Sequence, residues 1–119
     1  MKEIIIAGRT CPIHFGLRAV SEFTKMQGGT FENTVGTAEA LGSLDSIVAL
    51  TATGLNEGAR RSNSEHRYTE EEVWDIFDEA PQLILTVSEF FIEAITPLTD
   101  KLGELIKNGK GPTKVKPKR

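Results

Sequence analysis

The side chains that could do chemistry here are few. Cys11-x-x-His14 has a zinc-ligand spacing, but Cys11 is the sole cysteine and His66 the sole other histidine. A zinc site takes four ligands, usually as two such pairs, and no second pair exists. In an alternating strand, positions 11 and 14 also face opposite sides. The expectation is no metal, with Cys11 packed as a small apolar residue and His14 facing solvent. A nucleophile pair of Cys11 with His66 needs residues 59–68 to fold onto the N-terminus and a third, orienting group; nothing in the sequence points to one. The phosphate-binding and hydrolase signatures GxxxxGK[ST], GxGxxG and GxSxG are missing. Arg60, Arg61 and Arg67 read first as solubilising residues of a connector and second as an anion site. Glu70, Glu71 and Glu72 read as helix-capping residues. The chain is therefore expected to be non-enzymatic and without a cofactor.

The elements around these residues follow from apolar spacing. Residues 2–15, KEIIIAGRTCPIHF, predict a β-hairpin whose apolar arms IIIA and CPIHF flank Gly8-Arg9-Thr10. Cys11, Ile13 and Phe15 alternate with Pro12 and His14, the period of a half-buried strand. Pro12 belongs at an edge because it cannot donate to a ladder. Residues 16–27 predict a helix ended by Gly28-Gly29. After the loop TFENTVG, residues 37–58 predict a second helix. Gly42-Ser43 marks a kink there, or a new N-cap at Ser43, and Gly54 and Gly58 weaken its end. Residues 59–68 lack an apolar period and predict a connector. Thr69 with Glu72 is a capping box opening a helix over 69–79, and Pro81 suits the start of the last one, 81–107. Pro97 should kink or split that helix. The fold class is mainly α, a helical bundle with an N-terminal β-hairpin, in one globular domain of residues 1–107.

Charge divides the chain unevenly. The net charge is −3, yet the last 15 residues hold six basic side chains (Lys107, Lys110, Lys114, Lys116, Lys118 and Arg119) and no acidic one, which leaves −9 on the remainder. Residues 108–119, rich in Lys, Pro and Gly, predict a disordered basic tail. Nucleic acid is a disfavoured partner, since the body is acidic and the tail has no aromatic to stack on a base. A small regulatory or nucleic-acid-binding module that uses this tail with Arg60-Arg61 is the alternative reading. No apolar run is long enough to span a bilayer or to form a signal peptide, and the lone cysteine fits a reducing compartment.

Trp74, Phe77, Phe90 and Phe91 are core residues on the simplest reading. Phe90 and Phe91, about 100° apart on a helix, demand a wide buried face. Either the last helix is central to the bundle, or one side of it meets a partner, with these four aromatics as the contact.

Three segments resemble a known family: Ile13 to Phe23 (IHFGLRAVSEF), Thr51 to Arg60 (TATGLNEGAR) and Tyr68 to Glu79 (YTEEEVWDIFDE). They look like the tail assembly chaperones of long-tailed bacteriophages and prophages, whose members share xIxFGxRAxxEF, A-GLxEGxR and YTxEEVxDWxDE patterns, with Ile76-Phe77 here where Trp-Leu often stands. The resemblance covers residues 13–98. It implies a chaperone that holds the long helical tape-measure protein soluble and helps recruit major tail protein during virion morphogenesis. It would act in the bacterial host cytoplasm and be absent from the mature virion. Many such proteins have a longer frameshifted form, for which residues 109–119 would be the join. Coating a filament also favours self-association, as a homo-oligomer.

Overall fold

The computed structural model describes residues 1–29 and 40–108, the last ten of these by backbone alone. The expected loop at 30–36, the helix start at 37–39 and the tail from 109 lie outside the described residues. What is described is mainly helical with an N-terminal antiparallel hairpin. Its elements are β1 (Lys2–Ile6), β2 (Arg9–Ile13), α1 (Leu17–Gln27), α2 (Leu44–Arg61), α3 (Glu70–Glu79) and α4 (Gln82–Asn108).

The hairpin is tighter than the sequence predicts. Ile6 pairs with Arg9, so the loop is the dipeptide Ala7-Gly8, and both residues have positive φ, 52° and 80°. That is the two-residue turn whose twist matches a right-handed strand pair. It moves the turn one residue N-terminal of Gly8-Arg9-Thr10 and places an alanine where asparagine or glycine is the usual choice. Ile4, Cys11 and Ile13 line the buried face, and Ile5 points away from it.

α2 occupies the centre. Of its eighteen residues thirteen are buried, and it packs against α1, β2, α3 and α4. Ser43 caps it, its Oγ accepting from the Ser46 N–H at 3.1 Å, so the break at Gly42-Ser43 is a helix start. At the other end α2 runs to Arg61, past the expected stop at residue 58. Gly54 and Gly58 do not weaken it; they let it approach β2. A Cβ at Gly54 would run into the Phe15 ring, and one at Gly58 would overlap the Pro12 carbonyl. Across this contact the His14 N–H donates to the Gly54 carbonyl at 3.0 Å. The free edge of β2 is thereby closed by a helix, the side on which Pro12 has no N–H to offer. Buried hydroxyls on α2 bond within the helix, Thr51 Oγ1 to the Ile47 carbonyl at 2.7 Å and Thr53 Oγ1 to that of Leu50 at 2.8 Å.

α3 opens on Thr69, whose Oγ1 accepts from the Glu72 N–H at 3.0 Å. α4 continues through Pro97 without splitting. Leu83, Val87, Phe91 and Ile95 form its buried stripe, and Phe91 meets Phe15 edge to face at 5.6 Å. One cluster of buried side chains draws on both strands and on α1 to α4.

Two substitutions test this account by urea denaturation. Gly58→Ala should destabilise by about 1–3 kcal/mol through overpacking against Pro12, although the same change in an open helix stabilises by about 1 kcal/mol. Ala7→Asn should stabilise by about 0.5–1 kcal/mol, because asparagine tolerates the left-handed region.

Candidate functional site

The residues with chemical potential do not converge. Cys11 is buried, its Sγ 3.7 Å from the Arg9 carbonyl. His66 is exposed on the connector, its Nε2 3.0 Å from Glu72 Oε2, and its ring lies edge-on to Tyr68 at 4.3 Å. The Glu72 carboxylate therefore meets His66. Tyr68 stands beside Cys11, and burial first, then the thiol, pushes its hydroxyl up to about 12. Asn56 holds the connector onto α2 by bonding both backbone groups of Tyr68, accepting from its N–H at 2.6 Å and donating to its carbonyl at 3.0 Å. Among the described residues no group of three or more His, Cys, Asp or Glu could hold a metal ion.

The arginines have a specific partner. Glu57 is 4% exposed on α2, one turn before Arg60 and Arg61. Arg60 grips its carboxylate through two nitrogens, at 2.6 and 3.0 Å, Arg61 adds a third bond at 3.2 Å, and Arg18 approaches from α1 at 3.9 Å. The two arginines are thus not residues of a loop. They lie on the last turn of α2, where positive charge suits the helix dipole, and they neutralise a buried carboxylate. Their spacing from Glu57, i+3 and i+4, is visible in the sequence once the helix is extended to Arg61. These bonds hold the Glu57 carboxyl below the usual carboxylate range, the Arg60 hydrogen bond contributing most. Around them lies a polar cleft of about 260 Å³, whose lining includes Arg18, Glu22, Asn56, Glu57, Arg60 and Arg67.

The four aromatics separate. Phe77 and Phe91 are in the core; Trp74 and Phe90 are half-buried against it. Phe90 belongs to an apolar groove of about 430 Å³ between the open end of the hairpin and α4, shared with Met1, Ile13, Phe15 and Ala94. Lys2 crosses its rim, its Nζ 3.1 Å from Glu93 and 5.2 Å from the centre of the Phe90 ring. Along the outer side of α4, Leu85 and Ile92 are exposed two turns apart, Leu85 at 70%. At 100° per residue Leu85 and Ile92 lie about 140–160° around the helix from Phe90, so they form a patch apart from the groove; sequence periodicity did not single them out, since they fall outside the main α4 stripe. His14 lines the same groove and is half-buried rather than solvent-facing. Burial, then the Arg61 charge, lowers its pKa.

No family model, curated protein or solved structure matches the chain. Among the described residues no helix is long and apolar enough to cross a membrane.

His14 and Glu57 both have lowered folded pKa values, so the unfolded chain binds protons more readily and stability falls with falling pH. The His14 contribution is complete above its ordinary 6.5 and is lost as pH falls below it. The Glu57 contribution is complete above 4.5 and is lost as pH falls through the folded value. Urea midpoints measured from pH 8 to 3 should show both limbs. His14→Gln should flatten the upper limb, and Arg60→Gln with Arg61→Gln should flatten the lower one while lowering stability at neutral pH, because burial without its partners raises the Glu57 carboxyl.

Proposed function

We propose that this chain is a non-enzymatic tail assembly chaperone that binds and solubilises a long helical client, the tape-measure protein of a phage, and assists tail-tube assembly around it with the major tail protein. The observation that carries the reading is the apolar groove at Phe90 between the hairpin and α4. A groove of this kind accepts the apolar stripe of an amphipathic helix, with side chains at i, i+3, i+4 and i+7 as anchors. The Lys2–Glu93 pair at the rim offers charges of both signs to the client's polar flank. The sequence motifs add support of a separate kind. Phe90 and Trp74, both reachable from solvent, take the partner-binding role first assigned to four aromatics; Phe77 and Phe91 act beneath them as support.

The test is co-expression with the long helical protein encoded beside this chain, scored as client solubility and co-purification. The client should become soluble and elute with the chain. Phe90→Asp should reduce co-purification at least about fivefold, a loss of ~1 kcal/mol, while the circular dichroism of the chain stays unchanged. A client that stays insoluble and forms no complex would overturn the reading.

A further inference from the structure

A second groove lies at the turn end of the hairpin. It holds about 410 Å³ between β1 and the facing ends of α3 and α4. Ile5, Ile6, Ile76 and Leu83 contribute its apolar part, and Glu72, Asp75 and Glu79 its acidic rim. α3, which supplies that rim, carries six carboxylates and no basic residue. Among the described residues β1 has a strand on one side only, so its outer edge can take an added strand by main-chain hydrogen bonds. Ile5, 57% exposed, lies on this edge.

The chain contains a segment complementary to such a groove. In Thr113-Lys114-Val115-Lys116-Pro117-Lys118, three lysines alternate with Thr, Val and Pro. In an extended chain the lysines fall on one face and Val115 on the other, and proline is tolerated at a sheet edge. The segment's own groove is poorly placed for it. α4 carries the chain roughly 38 Å from Leu83 to Asn108, at about 1.5 Å per residue. The five residues from Asn108 to Thr113 reach at most ~18 Å when fully extended. A second copy has no such constraint.

We infer that residues 113–118 of one copy dock in the groove between β1 and α3 of another, with Lys114, Lys116 and Lys118 against Asp75, Glu79 and Glu72. The contact is heterologous, since one copy's tail meets another's groove, so it propagates head to tail into a ring or an open chain. It uses a surface separate from the Phe90 groove and does not depend on the client reading.

Charge reversal in the full chain tests this. Sedimentation equilibrium of the native protein should show self-association that weakens at least about tenfold between about 20 mM and 500 mM salt. Lys114→Glu/Lys116→Glu/Lys118→Glu destroys the tail and keeps the groove. Asp75→Lys/Glu79→Lys destroys the groove and keeps the tail. Each variant alone should be monomeric with unchanged circular dichroism, and an equimolar mixture of the two should associate in alternation, each tail meeting the oppositely charged groove of the other variant. A chain carrying both sets should associate again. A monomeric native protein at low salt would overturn the inference. So would a mixture that fails to associate, which points to docking within one chain, or variants that associate as the native protein does, which points to a different surface.

Discussion

The close approach of α2 to the edge of β2 organises the rest of the molecule. Gly54 and Gly58 lie one turn apart on a central helix, and neither position has room for a Cβ. With the side chains gone, the helix backbone reaches the strand and accepts the His14 N–H. A two-stranded hairpin is marginal by itself. Here its buried face is filled by Ile4, Cys11 and Ile13, and its second edge is sealed by α2. The hairpin in turn presents Phe15 to Phe91 of α4. Both grooves follow from this placement, because α4 lies along β1 and leaves a gap at each end of the strand.

The same helix turn solves an electrostatic problem. The close contact at Gly58 buries its neighbour Glu57, and a carboxylate taken out of water is costly unless paired and hydrogen-bonded. Arg60 and Arg61, half-exposed, supply the pairing while keeping part of their own hydration. Arg18 brings α1 to the same carboxylate. The pattern residues GLNEGAR therefore read as one structural device. Two glycines make the contact, and a glutamate with arginines neutralises what the contact buries. IHFGLRAVSEF has the same character. Ile13, Phe15, Ala19 and Phe23 are buried, Gly16 gives room to the His14 ring, and Arg18 reaches Glu57. Motifs of this type report a fold, and function resides on the surfaces the fold exposes.

Those surfaces lie at opposite ends of β1 and differ in chemistry. The Phe90 groove is apolar with a single ion pair at its rim, as suits an amphipathic helix. The β1–α3 groove is apolar beside a helix of uniform negative charge, as suits a basic extended segment. On the function proposed above, two such surfaces kept apart let a helical client and another copy bind without competing.

Much of the architecture was legible in the sequence. Alternation at 11–15 marked β2, Thr69 with Glu72 marked the start of α3, Ser43 offered itself as an N-cap, and Pro81 marked the start of α4. These are local signals, carried by backbone hydrogen bonding and side-chain period within a few residues. What tertiary structure decided is what a given residue type was for. Glycine lowers helix propensity in isolation, so Gly54 and Gly58 read as the weak end of a helix, and Arg60-Arg61 beyond them read as a loop. Packing against β2 reversed both readings, because a contact between residues more than forty positions apart outweighs a propensity difference of about 1 kcal/mol per residue. The turn at Ala7-Gly8 is a similar case, since strand register, set by which faces of Ile4 and Cys11 are buried, overrides the reluctance of alanine to adopt positive φ. The sequence by itself determined the elements and their inner faces. Only the assembled structure determined which helix is central, which carboxylate is buried and where the open surfaces lie, since each of these depends on two distant segments meeting.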